Sequence, residues 1–367
     1  MRLCLLLLSA LLIPVLVWGQ GLDEWEALSV RNTFSLSVAG YWNSGDRDAD
    51  LRLSWMPELA LDLQLANFLW LNADLSMDNQ VSASFAGHAS EQDISIDMYR
   101  GWLSLSTSLT SLRGGLQHIQ IGPARVLRPL QWFDRLRPND LFAFSKGVRG
   151  ILLTHHFPNP NLRFWAIKPE GDLPANMLLP SADKSIEFGG RLELRTPLGE
   201  SGFSFHHRDL GEMALAKSES RLGFDHRVDG VIGAWLETSA SLIGEPDPMI
   251  PSATVSATLG CDYTVGIGQG IYLLMEHNLL SNTCSSIPKL RYRGVNSAVM
   301  GTYPTGLLDT VILLGTWDWE NGRGSGSLAW RRMYDYLSLE LGITLDGGME
   351  HVDSEVLSAH LKVALDL

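Results

Sequence analysis

Side chains along most of this chain alternate apolar and polar with a period of two. Leu59, Leu61, Leu63 and Leu65 interleave with Glu58, Ala60, Asp62 and Gln64. Leu337, Leu339, Leu341, Ile343 and Leu345 do the same with Ser338, Glu340, Gly342, Thr344 and Asp346. The last residues repeat it, with Leu357, Ala359, Leu361, Val363, Leu365 and Leu367 set against Ser358, His360, Lys362, Ala364 and Asp366. Successive side chains of a strand point to opposite faces, so each segment reads as a strand with one apolar and one wet face. Carried through most of 367 residues, the pattern describes an all-β protein, an antiparallel transmembrane β-barrel that is apolar outside and polar inside. A membrane strand takes ~9–11 residues, which leads us to expect about 16 strands, within a range of about 14 to 18.

The first twenty residues read as a cleaved export signal. Arg2 supplies the positive end, Leu3 to Val17 is a short apolar run broken by Pro14, and Gly19, Gln20 and Gly21 offer a cleavage site. The run is shorter than the roughly 20 apolar residues of a membrane anchor, and Cys4 precedes it rather than closing it, unlike a lipoprotein signal. Residues 21–367 then form a single barrel domain in the outer membrane of a diderm bacterium. No later segment reads as a membrane helix. Ala298 to Trp317 contains Pro304, Asp309 and three glycines and reads as strand, turn, strand. A mean hydropathy of +0.04 is what two opposed faces average to.

Thirty-five glycines suit tight turns, and the twelve tryptophans suit the girdles at membrane–water interfaces. Trp42, Trp55, Trp70, Trp102, Trp317 and Trp330 fall at or near the expected strand ends. A formal charge of −13 argues against a nucleic-acid partner. Past the leader the cysteines are Cys261 and Cys284. They could close one loop disulfide, or Cys261 could simply be a small strand residue; two cysteines alone build no structural zinc site.

One region departs from the pattern. Gly122 to Pro180 holds eight of the 16 prolines, and proline removes a ladder donor, so part of this stretch must leave the sheet. In a barrel, residues 123–180 would then include a long outer loop or a segment folded into the lumen. Arg113 to Lys168 carries nine basic residues against Asp134 and Asp140, a local excess of +7 (nine minus two) in an acidic chain. Rings of Arg and Lys favour anionic solutes. Arg125, Arg128, Arg135, Arg137, Lys146 and Arg149, with Trp132, are therefore the expected solute-selectivity or anion-binding residues. Trp132, Phe133 and Trp165 could stack on sugar faces. On the other reading, the same arginines pair with lumenal carboxylates and brace the wall.

One segment runs Arg113, Gly114, Gly115, Leu116, Gln117, His118, Ile119, Gln120, Ile121, Gly122. This R-x-G-x-Q-x-I-x-x-G pattern, followed by Pro123, Arg125 and the Phe133–Asp134 pair, resembles bacterial porin-like barrels of the alginate-export type. An aromatic residue often precedes the last glycine there, where this chain has Ile121. Capsule-assembly barrels have a comparable glycine–proline step. The resemblance covers about 40 residues closely and implies an outer-membrane location and a role with solutes or polysaccharide. The final strand suits the barrel-assembly machinery, although Leu367 stands where such strands usually end in an aromatic.

Enzyme signals are poor, and no cofactor or metal is expected. His88-Ala-Ser90 has the spacing of an outer-membrane phospholipase motif, but Glu91 and Gln92 replace the Asn and Gly expected next. His155–His156 and His206–His207 are adjacent pairs, whose rings a strand points to opposite faces. Asp46, Asp48 and Asp50 begin like a calcium loop, but Leu51 replaces the glycine. Gly266, Gly268 and Gly270 precede a strand pattern rather than a helix. The chain therefore reads as a porin-like channel for small hydrophilic, anionic solutes. The alternative is a non-conducting barrel that binds or assembles surface polysaccharide. Its partners are outer-membrane lipid, the solute or glycan, and the assembly machinery.

Overall fold

The computed structural model describes residues 28–42, 47–86, 89–133, 147–168, 179–182, 185–211, 215–247, 250–284, 287–348 and 356–367. They form one sheet of 18 strands. The first six are β1 (Leu28–Trp42), β2 (Arg47–Ala66), β3 (Leu69–Ala86), β4 (Ala89–Ser106), β5 (Thr110–Gln117) and β6 (Val148–His156). Then come β7 (Asn161–Lys168), β8 (Glu187–Thr196), β9 (Gly199–Asp209), β10 (Ser218–Val228), β11 (Gly233–Gly244) and β12 (Pro251–Val265). The last six are β13 (Ile271–Cys284), β14 (Ile287–Pro304), β15 (Asp309–Asp318), β16 (Arg323–Met333), β17 (Leu337–Gly348) and β18 (Val356–Asp366). Each strand pairs antiparallel with its sequence neighbours, and β1 pairs with both β2 and β18, so the sheet closes. Closure removes the sheet edges and leaves every strand with a ladder partner on each side.

The strand count exceeds the expected 16 because the proline-rich stretch hides two short strands. β6 and β7 lie inside it, held to nine and eight residues by a turn carrying Pro158 and Pro160. An estimate based on full-length strands misses them. The wall is accordingly uneven: β2, β3 and β4 run 18 to 20 residues, β5 to β9 only 8 to 11. Both chain ends and the short turns, such as 67–68, 107–109 and 197–198, share one end of the barrel, here the near end. Longer connections share the far end, and the longest is 118–147.

Burial is inverted relative to a soluble sandwich. Ile94, Ile96, Leu259 and Phe164 are exposed on the outside, while Arg208, Glu219, His206, Glu237 and Glu276 are buried inside. This is the distribution required of a barrel surrounded by hydrocarbon. Four histidines that face outward are satisfied across the sheet. His155 bonds Thr110 at 2.7 Å, His207 bonds Ser220 at 2.8 Å, His226 bonds Ser201 at 2.9 Å and His277 bonds Ser297 at 2.8 Å. Each pair lies on facing register positions, so one ring nitrogen finds its partner locally instead of facing an apolar surround unsatisfied.

The tryptophans divide by face. Trp42 and Trp317 sit at strand ends as expected, and Trp55 stacks on Phe34 with ring centroids 6.0 Å apart, mid-strand because β2 is so long. Trp102 is different. It shares a face with buried Ser104, opposite exposed Leu103 and Leu105, and the Arg113 guanidinium lies 4.1 Å from its ring. The lumen holds it, not a girdle.

The ladder between β12 and β13 also separates the cysteines. Cys261 faces Met275, whereas Cys284 faces Pro251, roughly 30 Å away along the strands. A disulfide needs Cα atoms within about 7 Å, so no bridge joins them. The folded barrel, denatured without reductant and alkylated, should take one adduct at each of these cysteines by peptide mass spectrometry; a linked peptide pair would contradict the register.

Candidate functional site

The region of interest begins where β5 ends. Gly115 has φ +124°, and a Cβ there would collide with the Gly101 carbonyl of β4, so only glycine fits. Gln117, wholly buried, donates from Nε2 to the Gly150 carbonyl of β6 at 3.1 Å. From residue 118 to 133 the chain has no helix or strand and runs inside the barrel. Apolar side chains decide where it lies. Ile119, Ile121, Leu130, Trp132 and Phe133 pack on Trp165 and Ile167 of β7. Ala124 and Val126 pack on Trp235 of β11, Leu274 of β13, Ala298 of β14 and Leu314 of β15. The inner wall is therefore apolar where the loop rests, an exception to its polar lining.

A loop backbone laid against a closed barrel finds no free ladder groups, so its N–H donors need other acceptors. Two glutamates supply them. Glu237 of β11 accepts from the Ala124 amide at 2.9 Å and the Leu130 amide at 2.7 Å. Glu276 of β13 accepts from Arg125 at 2.7 Å, Val126 at 2.9 Å and Leu127 at 2.6 Å. Between them Thr258 of β12 donates to the Leu127 carbonyl at 2.7 Å, and the Trp132 indole donates to Ser239 at 3.1 Å. Both carboxylates are fully buried. Gly122, at φ +84°, sits so close to the Glu237 carboxylate that a side chain would strike it. Sequence reading missed these residues. Their signal was a lone glutamate breaking an apolar run, as in Leu273-Leu274-Met275-Glu276.

Beside the loop, β7 to β10 carry an arginine-rich inner wall, and carboxylates answer it. Arg191 grips Asp225 with two bonds of 2.6 and 2.9 Å and also bonds Glu193 at 2.8 Å. Arg163 pairs with Glu193, and Arg208 and Arg221 share Glu219. Arg195 meets Glu200 at 3.1 Å, and Arg227 meets Asp229 at 2.7 Å. These pairs leave little net field from this wall. His206 is built into the same network, accepting from the Trp165 indole at 3.1 Å and lying 3.1 Å from Glu187, while His207 faces outward.

The expected selectivity residues separate in space. Arg125 is exposed on the loop, its guanidinium 5.7 Å from the Tyr272 ring centroid, and has no carboxylate partner among the described residues. Arg125 and Arg128 line a recess of about 650 Å³ together with Arg191, Glu193, Asp225 and Arg227. Trp132 is buried in the loop's apolar anchor, where its ring meets Phe133 in a T-shaped contact and His206 at a tilt. Arg149 falls on the same strand face as exposed Ile151 and Leu153, the outer one. Arg135, Arg137 and Lys146 lie outside the described residues, as does His88.

No protein-family model matches this sequence, and no curated protein sequence matches it. Solved structures do share its fold. OccAB4 of Acinetobacter baumannii superposes with a TM-score of 0.62 at 10% identity, over 93% of this chain and 98% of that one. OccK5 (OpdH) of Pseudomonas aeruginosa gives 0.63 at 10% identity over the same shares. The outer membrane protein OpdK of Pseudomonas aeruginosa gives 0.58 at 12%, over 92% and 98%. At these identities the likeness is one of fold, a porin-like β-barrel. These neighbours are neither alginate-export nor capsule-assembly barrels, so that resemblance gains no support from them.

Hydrogen bonds to a charged acceptor are worth about 1.5–3 kcal/mol each. Glu237→Gln is expected to leave the barrel folded but to speed amide exchange at Ala124 and Leu130 about a hundredfold, since two such bonds weaken together. Glu276→Gln should act on Arg125, Val126 and Leu127. Hydrogen-exchange mass spectrometry of the loop peptide reads both; unchanged protection would mean that apolar packing alone holds the loop.

Proposed function

We propose that the chain is an outer-membrane channel that lets small hydrophilic solutes, preferentially anionic ones, diffuse through its lumen. The observation that carries this reading is the inward course of residues 118–133 and their fixation by Glu237 and Glu276. A loop held there narrows the passage at a defined height. The likeness in fold to an outer membrane protein such as OpdK supports the location, and so does the apolar outer face. A glycan-docking barrel would need the basic segment gathered on its rim, whereas Arg113, Arg125 and Arg163 of that segment face the lumen and only Arg149 and Lys168, among its described residues, face outward.

Charge selection falls to Arg125. Carboxylates compensate the arginines of β7 to β10, so their contribution to the field along the passage is small. Arg125 stands on the loop with its backbone amide fixed by Glu276 and its side chain exposed. A cation on a loop that narrows the passage attracts anions and repels cations, and a low-dielectric surround strengthens both effects. Tyr272 limits how far the guanidinium swings toward the wall.

In a planar bilayer the refolded protein should give discrete conductance steps, with a reversal potential under a salt gradient that reports anion preference. A unit charge about 4 Å from a passing ion is worth about 1 kcal/mol in water, or about fivefold in the permeability ratio. Arg125→Gln should shift the ratio toward cations by about that factor. Steps with an unchanged ratio would remove Arg125 from the role, and silence from a barrel with normal heat-dependent gel mobility would remove the channel.

A further inference from the structure

On the outer face of β6 and β7, Arg149 and Lys168 occupy facing register positions at the far ends of the two strands. Both are exposed. By the alternation they share their face with Ile151, Leu153, Leu162 and Phe164, and they are the only Lys, Arg, Asp or Glu residues on that face of these strands. They sit where the outward apolar run stops.

The wall beneath them is hollowed. A cross-strand row runs Phe164, Gly190, Phe205, Leu222, Ala240, Val255 over β7 to β12. Gly190 and Ala240 are low points between larger side chains. The Phe164 ring lies against Gly190, and Phe188, Phe203 and Phe224 stand around the row. The result is an aromatic-sided hollow of about 830 Å³ on the outer surface. Most of the outer face elsewhere carries Leu, Ile and Val, as on β2 and β17.

We propose that this face binds one phosphorylated glycolipid of the outer leaflet, with the phosphate on Arg149 and Lys168 and acyl chain in the hollow. The charge pair and the hollow were found separately, and their vertical order matches such a lipid: anionic group at the rim, hydrocarbon below it. Arg fits phosphate in a bidentate fashion and Lys adds a point charge. Phenylalanine walls around a glycine floor favour a thin flexible chain over a protein side-chain ridge. A second copy of the chain is the competing occupant. The inference rests on an outer-membrane location but not on conduction, because none of these residues faces the lumen.

Native mass spectrometry of the refolded barrel, titrated with a bisphosphorylated glucosamine glycolipid and with its dephosphorylated form, tests this. The wild type should retain one phosphorylated lipid and hold the dephosphorylated one less tightly. Arg149→Gln with Lys168→Gln should weaken the phosphorylated lipid by about tenfold and leave the dephosphorylated one unchanged. Ala240→Leu, which fills the hollow, should weaken both. Channel conductance should be the same in all three proteins, so a failed channel reading leaves this result interpretable. Equal binding of both lipids to every variant would overturn the proposal. So would a wild-type oligomer that Ala240→Leu disperses with no change in bound lipid, since the hollow would then be a contact between copies.

Discussion

Backbone amides inside a barrel must find acceptors, and the ladder of a closed sheet has none to spare. Residues 118–133 are laid in the lumen under that constraint, and the position of the loop follows from how it is met. Two glutamates on β11 and β13 take five amides between them. Their cost as buried charges is offset because each oxygen is engaged by donors that would otherwise be stranded. Apolar packing on Trp165, Trp235 and Leu274 then excludes water and fixes the height. The loop is thus bound to the wall much as a ligand is bound, through its main chain. Its exposed side chains, Arg125 among them, remain available for other work.

The same economy governs the charged wall. Arginines on β7 to β10 outnumber what a neutral strand needs, yet Asp225, Glu193, Glu219, Glu200 and Asp229 answer them. A row of like charges on neighbouring strands would repel across the sheet; alternating partners turn it into bracing. Rigidity thus falls to the wall, and on the proposed reading selectivity falls to a different set of residues, those of the loop.

Period-two alternation was enough to read the barrel, the strands β17 and β18, the strand–turn–strand at Ala298 to Trp317, and the departure of part of the proline-rich stretch from the sheet. All are local patterns. What stayed hidden was non-local. Nothing near Glu237 or Glu276 announces a loop more than a hundred residues earlier as its partner. Pairing of Arg191 with Asp225 depends on which strands adjoin, and so does the separation of Cys261 from Cys284. The count of 18 rather than 16 was lost in β6 and β7, nine and eight residues long, too short for alternation to stand out between prolines. Trp102 follows the same logic, since its parity relative to Leu103 decides its face and proximity to a strand end does not.

The unequal wall has a geometric consequence. With 18 to 20 residues in β2 to β4 and 8 to 11 in β5 to β9, the far rim is a slanted cut across the cylinder rather than a level ring. The described wall is thus lowest over β5 to β9, the flank from which residues 118–133 turn into the lumen, and highest over β2 to β4.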